Sequence, residues 1–397
     1  MKRRPMAAIV VTGIVVGGMT GPALAAGAQT GQADGVISRV SVSSRGVQGN
    51  HESYEQSVSG NGRYVAFHSR ASNLVPGDTP GSDDVFVRDR HTGRTTRVSG
   101  GSSPAISADG RYVAFAGRGI DVHDRKTGRT TRVDVSSRGT AGNNESHSPA
   151  ISGDGRYVAF YSAASNLVPG DTDGVFDVFV HDRRTGKTSR ASVSSTGAQL
   201  HGDSWQAAIS SDGRYVGFET EANDVVPGDT NGVSDAFVRD RVAHTTIRLS
   251  LFPGGVEGND WSGGPSLSAD GRYAAFYTAA TNLVPGDTTE GHLVVRDMRS
   301  GTIRMLAAAS SPSFSADGRY LAYESWAPQL VPAGGNGVFV RDLATGRTRA
   351  VVVRPESRGM APQISADGHH VVLQSDLPLT PGDTNRRLDV FVWDRQR

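Results

Sequence analysis

The sequence predicts an all-β chain: a seven-bladed β-propeller of four-stranded antiparallel sheets, its last blade closed by an N-terminal strand. Three observations carry that expectation. The first is a phrase that occurs seven times. It reads Asn61-Gly62-Arg63-Tyr64, Asp109-Gly110-Arg111-Tyr112, Asp154-Gly155-Arg156-Tyr157, Asp212-Gly213-Arg214-Tyr215, Asp270-Gly271-Arg272-Tyr273, Asp317-Gly318-Arg319-Tyr320 and, altered, Asp367-Gly368-His369-His370, at intervals of 45 to 58 residues. β-rich text recurring at such a period marks a radial array of small sheets. The second is the strand after each copy. Side chains alternate sides along a strand, yet Tyr157-Val158-Ala159-Phe160 is apolar on both faces. A strand with one wet face would alternate instead, whereas blades stacked around a ring bury both. The third is the mismatch of the ends. The last repeat stops after a third strand, at Trp393-Asp394-Arg395, and an orphan strand, Val36 to Ser43, precedes the first repeat. Its text matches fourth strands elsewhere, such as Arg132-Val133-Asp134-Val135-Ser136-Ser137, so it is expected to complete the last blade. Closing the circle leaves no open end to cap.

Residues 1–25 read as an export leader: basic Lys2, Arg3 and Arg4, an apolar run from Met6 to Val16, and the small-residue pattern Ala23-Leu24-Ala25. The run is short for a bilayer span, so cleavage is expected after Ala25 or Ala26. Residues 26–35 are small and polar, as in a flexible tether, and residues 36–397 are assigned to the propeller.

The third repeat shows the unit. Ser148 to Ser152 is a first strand, and Gly153-Asp154-Gly155 a tight turn in which glycine supplies positive φ. Arg156 to Tyr161 is a second strand. A loop follows through Val168-Pro169-Gly170-Asp171, where Pro then Gly suits a type II turn. Asp177 to Asp182 is a third strand, Thr185-Gly186 a turn, and Thr188 to Ser194 a β-branched fourth strand.

Without Lys2, Arg3 and Arg4 the chain carries 38 Lys plus Arg against 40 Asp plus Glu, a net charge of −2. That is no footprint for nucleic acid or an anionic membrane. There is no cysteine, so thiol chemistry, Cys-zinc sites and stabilising disulfides are excluded, and the core must hold the fold alone. Burial is efficient at this length.

The phrase Ser-x-Asp-Gly-Arg-Tyr with an apolar strand, then a Val-Phe-Val-Arg-Asp strand, resembles the TolB-type, WD-repeat-like propeller repeat, over roughly residues 57 to 397. The resemblance implies a propeller that acts as a binding platform. TolB itself is a periplasmic partner of envelope proteins. A few related propellers are lyases acting on uronate sugars, with a metal held by histidines, so the resemblance does not imply one reaction.

Repetition sorts the polar residues. A ligand site is needed once and a turn in every blade, so the Asp-Gly turns read as structural. So do the third-strand aspartates Asp89, Asp124, Asp182, Asp240, Asp297, Asp342 and Asp394, each expected to pair with an arginine or to accept from backbone donors. The long, variable loops lie on the opposite face and are the expected seat of function. There, four interblade segments each bring a carboxylate and an aromatic side chain to the start of a first strand: Glu52 with Tyr54, Glu145 with His147, Asp203 with Trp205, and Asp260 with Trp261. First strands line a propeller's channel, so these residues are expected at its mouth. Rings that stack beside carboxylates that accept hydrogen bonds suit a sugar or a cationic peptide.

The loops Asp171-Thr172-Asp173-Gly174-Val175-Phe176-Asp177 and Asp229-Thr230-Asn231-Gly232-Val233-Ser234-Asp235 space oxygen ligands at positions one, three and seven, which raises calcium as an ion to test. The distal Glu of an EF-hand is missing, Asp78 is followed by Pro80-Gly81 and Asp287 by Thr288-Thr289-Glu290, and turn capping is the competing reading. No other cofactor is expected. The eleven histidines show no metal spacing, and no nucleophile elbow, phosphate loop or dinucleotide fingerprint occurs. His369-His370 is the one pair to watch.

The sequence therefore points to a secreted or extracytoplasmic, non-enzymatic propeller. It would be a monomer that binds an envelope or extracellular protein, peptide or glycan through its long-loop face, with no nucleic-acid partner and no membrane span once the leader is removed. The alternative is a polysaccharide lyase or glycosidase with paired carboxylates at the channel mouth. A third reading is an inert, calcium-stabilised surface protein.

Overall fold

The computed structural model describes residues 35–283, 291–331, 334–354 and 359–396. The expected leader, all of the expected tether but Gly35, and the Asp287 loop lie outside the described residues. No helix among the described residues is long and apolar enough to cross a membrane.

The described residues form seven four-stranded antiparallel sheets, with no helix among them. Blades 1 to 6 occupy residues 53–100, 102–132, 146–190, 204–248, 262–307 and 309–354, each a simple meander. Blade 7 takes three strands from residues 363–395 and its fourth, Gly35–Arg39, from the N-terminus, paired antiparallel with Asp389–Arg395. The expected closure is therefore the observed one. First strands touch one another around the ring and so lie innermost. In blade 3 the strands are Ser146–Ile151, Tyr157–Ser162, Asp177–Asp182 and Lys187–Arg190. The fourth is shorter than the sequence suggested, because Val193 leaves the sheet to bridge Gln199 in the hairpin that leads to blade 4. A separate hairpin, Leu251–Phe252 with Val256–Glu257, stands between blades 4 and 5.

The core is not one mass but seven, one at each blade junction. Val158 and Phe160 pack with Ala114, Ile120 and Val122 of blade 2. Ala159, one residue on, points the other way and packs with Val216, Phe218 and Phe237 of blade 4. A single strand thus contributes to two cores, as its two apolar faces require.

Between these cores the repeated phrase locks adjacent blades. Its serine (Ser59, Ser107, Ser152, Ser210, Ser268, Ser315, Ser365) is buried in every blade. In blade 3, Ser152 Oγ donates to Asp154 Oδ1 at 2.7 Å and accepts from Tyr157 N at 2.9 Å, and the same carboxylate accepts from Arg156 N. The turn glycine of each blade then lies against the tyrosine ring of the blade before: Gly155 on Tyr112, Gly213 on Tyr157, Gly271 on Tyr215. Glycine is demanded twice here, by φ near +70° and by the ring that a Cβ would overlap.

The arginine of the phrase forms a two-pronged pair with the third-strand aspartate, as Arg156 does with Asp182 at 2.9 and 2.6 Å. That aspartate also accepts backbone donors of the next turn, so both expected roles are filled. The next residue reaches across the junction. Arg183 and Arg241 lie over Tyr112 and Tyr157 at 4.3 and 4.9 Å, each ring already carrying its own blade's arginine. Where Met298 and Leu343 replace that arginine they join the apolar clusters around Tyr215 and Tyr273 instead. In blade 7, His370 takes the tyrosine's place. Gly62 packs on its ring, its Nδ1 lies 2.6 Å from Asp394, and Arg90 of blade 1 grips that carboxylate at 2.7 and 2.5 Å. This histidine is structural, and its blade is as tightly joined as the others.

Inside these turns, Gly60, Ala108, Gly153, Ser211, Ala269, Ala316 and Ala366 form a ring of small residues. Backbone hydrogen bonds of 2.8 to 3.1 Å cross six of the seven junctions there, among them Gly60 N to Ala108 O, Ala108 N to Gly153 O and Gly153 N to Ser211 O. A larger side chain would part the turns.

Two outcomes test this account. Gly213→Ala and Gly186→Ala both place alanine at positive φ, but only the first meets a neighbouring ring. Gly186→Ala should cost about 1 kcal/mol and Gly213→Ala about 3 kcal/mol, because overpacking adds to strain; denaturant titration measures both. Second, Arg63, Arg111 and Arg156 hold the carboxyls of Asp89, Asp124 and Asp182 well below the usual range. A depressed native pKa contributes stability above the unfolded value, about pH 4, and loses it as pH falls further. The melting temperature should therefore drop from about pH 4 to pH 2. Arg156→Ala should melt lower at neutral pH and show a shallower acid slope.

Candidate functional site

In blades 1 to 6 the first strand carries one extra residue. The register slips between Tyr54 and Ser57, His147 and Ala150, and Trp205 and Ala208, and at the same place in blades 2, 5 and 6. The bulged residue has positive φ throughout: Glu55, Ser103, Ser148, Gln206, Gly264 and Ser311; in blade 7 Ala361, just before the short strand Gln363–Ile364, has it too. Pro follows at 104, 149, 265, 312 and 362. A bulge leaves a backbone N–H without a ladder partner, which is where a strand tolerates proline. The bulge turns side chains toward the next blade and the axis. Glu55 Oε2 accepts from Ser103 N at 2.7 Å, and Glu219 Oε2 from Gly264 N at 2.7 Å.

The expected site residues occupy the long-loop end of these strands, but only part of the set comes together. His147 is 41% exposed, its Nε2 lies 3.2 Å from Glu145, and its ring stacks at 5.4 Å on Tyr161 and 6.1 Å from Phe176. Glu145 is 60% exposed, and among the described residues its carboxylate makes no ion pair with an arginine and no hydrogen bond with a backbone N–H. Glu52 is bound to Arg387 of blade 7 at 3.1 Å and lies 3.0 Å from His51. Asp203 Oδ1 accepts from Phe176 N of blade 3 at 2.7 Å. Asp260 Oδ1 accepts from Trp261 N at 2.7 Å, a local cap. Tyr54 stacks on His68 at 4.5 Å, Trp261 on Tyr277 at 5.2 Å, and Trp205 pairs across the sheet with Glu219.

The register also realigns one blade. Ser53, Ser146, Ser204 and Ser262 are equivalent, so Trp261 stands where Glu52, Glu145 and Asp203 stand, and Gly263 where Tyr54, His147 and Trp205 stand. Matching by text alone had set Asp260 and Trp261 beside the wrong partners.

Sequence reasoning missed the second-strand residues on the same wall: His68, Tyr161, Glu219, Tyr277, Glu324 and Gln374. Their signal was available. The second strand reads YVAFHS, YVAFYS, YVGFET, YAAFYT, YLAYES and HVVLQS, and the fifth position varies most while its neighbours hold. Glu219 and Glu324 are almost fully buried. Burial pushes the Glu219 carboxyl up, against the pull of Gly264 N and Gln206. His68 is spent on Glu55 and Asp83, at 3.3 and 2.9 Å, and holds the Glu55 carboxyl down.

On the tight-turn face a recess of about 700 Å³ opens over Asp154, Asp212, Asp270 and Asp317. One oxygen of each carboxylate is already taken by its own turn. The recess is a by-product of ring closure.

No protein-family model matches the chain, and no curated protein matches it significantly. Many solved structures share its fold. An oligogalacturonate lyase in complex with manganese is 12% identical with a TM-score of 0.60, and the match covers 91% of this chain and 93% of that one. The β-propeller domain of the Trilobed protease from Pyrococcus furiosus is 13% identical with a TM-score of 0.55, over 87% and 93%. TolB from Acinetobacter baumannii is 14% identical with a TM-score of 0.42, over 84% and 77%. At these identities the likeness is one of fold.

The division of labour is testable. Asp203→Ala strips a backbone donor of its partner and should destabilise by about 1 kcal/mol. Glu145→Gln should leave the melting curve unchanged. Thermal melts of the two variants beside wild type check both outcomes.

Proposed function

We propose that this protein is an extracytoplasmic, monomeric binding propeller, and that its long-loop face recognises an envelope or extracellular glycan, peptide or protein segment. The observation that carries the reading is Glu145 with His147. This exposed pair is not consumed by the fold, and it sits beside the Tyr161–Phe176 wall at the start of an innermost strand. By contrast, the arginines of the tight-turn phrase are paired across the sheet in blades 1 to 6. Aromatic faces next to a free carboxylate suit a sugar ring or a cationic side chain. Trp205 and Trp261 extend the same face toward blades 4 and 5.

The competing reading is a polysaccharide lyase or glycosidase. Its support is Glu219, a carboxyl raised by burial close to Trp205 and Gln206, the kind of environment that suits a general acid. The histidine-held metal that the resemblance implies for uronate lyases does not fit the described residues. His68 is committed to Glu55 and Asp83. The one converging set of three ligand groups among the described residues is Asp171, Asp173 and Asp177, with no histidine in it.

Glycan and cationic-peptide arrays probed with the purified protein test the binding reading. Binding lost in Glu145→Gln/His147→Ala, with an unchanged melting curve, is the expected result. Binding untouched by those changes would remove the site assignment. Unsaturated or reducing-end products from oligogalacturonate or other polymers, abolished by Glu219→Gln, would favour the enzyme.

A further inference from the structure

Four blades carry the same charged device between their second and third strands. A loop aspartate and a strand-start aspartate face one arginine from the fourth strand: Asp78, Asp84 and Arg97 in blade 1, Asp171, Asp177 and Arg190 in blade 3, Asp229, Asp235 and Arg248 in blade 4, and Asp383, Asp389 and Arg39 in blade 7. These aspartate side chains are at most 5% exposed. The arginine is the built-in counter-charge.

Blade 3 departs from its sisters in two ways. The first is a third carboxylate within the loop itself; blade 4 also has a third, Glu257, but it comes from outside the loop and is held by Arg248 and by Thr230 N and Oγ1. Asp173 brings an oxygen within 4.8 Å of both Asp171 and Asp177. Pro80, Asn231 and Asn385 hold that position in the other blades, and the two asparagines are occupied, Asn231 with Gly258 O and Asn385 with Gly49 O and Asp389. When all three are ionised, three carboxylates against Arg190 leave a deficit of two positive charges.

The second is an idle amide; buried polar atoms without a hydrogen-bond partner occur in the sister devices too, among them Asp78 Oδ2, Asp84 Oδ1 and Asp229 Oδ1. In blade 7, Gln48 Nε2 donates to both Asp383 and Asp389, at 2.8 and 3.0 Å. Gln199 is its counterpart, bridged to Val193 as Gln48 is to Val42, yet its Nε2 makes no hydrogen bond. Asp171 Oδ1 makes none either, whereas Asp177 Oδ2 lies 2.9 Å from Arg190 Nη1 in an ion pair. Asp171, 3% exposed, stands 3.6 Å from Arg190 and forms no side-chain hydrogen bond at all. The idle amide of Gln199 and the unbonded Oδ1 of Asp171 ask for a missing partner. The amide of Gln199 reads equally well turned by half a rotation, which would present an oxygen in place of the nitrogen.

We propose that Asp171, Asp173 and Asp177 bind one calcium ion. A dication balances the charge. The buried oxygens replace its hydration shell, and backbone carbonyls of the loop and water complete the six to eight ligands that calcium accepts in irregular geometry. Magnesium, which demands near-ideal octahedral geometry and keeps its water, suits so dry a pair poorly. The loop also carries Phe176, which packs against His147 and Tyr161. The ion therefore braces one wall of the binding face while standing apart from whatever that face binds.

Isothermal titration of the chelator-treated protein with calcium chloride tests the site. One calcium per chain is expected, with affinity in the roughly 10⁻⁴ to 10⁻³ M range of extracellular modules. Saturating calcium should raise the melting temperature by about 2 °C. Asp173→Asn changes an exposed side chain and keeps the fold, and it should weaken binding about tenfold or more; Asp171→Asn should abolish it. No heat and no melting shift with calcium would overturn the proposal. So would equal binding by Asp173→Asn and wild type, or binding of magnesium in preference to calcium. Array binding that survives in Asp173→Asn would separate failure of the ion site from failure of the binding face.

Discussion

Everything in this propeller depends on the contact between one blade's turn glycine and the tyrosine of the blade before. The contact is small, but it fixes the approach of the blades at the axis. Ser152, Asp154 and the backbone of Arg156 and Tyr157 hold one such turn rigid through a closed set of hydrogen bonds. The neighbouring ring then packs on a surface that has no side chain. Small residues at the next position let the backbones bond to each other around the axis. Since each strand feeds two cores, a blade that shifted would disturb both junctions at once. A chain without a disulfide can rely on this because the constraint is repeated around a closed ring.

That constraint also divides the molecule chemically. On the tight-turn face the fold consumes the charged groups of the repeat: arginine with aspartate across the sheet, arginine over tyrosine across the junction, aspartate with serine within the turn. The opposite face does not need uniform turns. Its loops differ in length and content, and the bulge in the first strands of blades 1 to 6 turns side chains such as Glu55 toward the next blade. Glu145, His147 and Trp205 are residues that the packing tolerates without requiring. Blade 3 has the most such freedom, with an exposed carboxylate, an aromatic wall and a charge-rich loop within one sheet.

The seven-fold repeat hides its exceptions until they are compared at equivalent places. His370 looks like a metal ligand beside His369, but it fills a tyrosine's socket and bonds Asp394. Asp171 and Asp177 look like their counterparts in blades 1, 4 and 7, and differ by the presence of Asp173 and the idle amide of Gln199. Glu52 and Asp203 look like ligand groups in sequence, yet they tie one blade's entry to the loop of another.

The propeller, the blade number, the tight-turn face and the closure by residues near Val36 are all legible in the chain's text. Each of these follows from local text that recurs: a turn phrase, a strand apolar on both faces, an orphan strand matching a missing one. It also assigned the third-strand aspartates to structure, because repetition and catalysis pull in opposite directions. Which carboxylates at the long-loop face stay out of the fold's hydrogen bonds depends on contacts between blades. Glu145 and Asp203 read alike in sequence, but Asp203 finds Phe176 N and Glu145 finds only His147. Strand pairing likewise set the register of Trp261: the strand-start serines pair equivalently, and matching on the preceding glycine fails because the segment from Gly202 to Ser204 is two residues shorter than that from Gly258 to Ser262. Hydrogen-bond partners in this fold come from the neighbouring blade, dozens of residues away along the chain, and spacing in sequence carries no information about them.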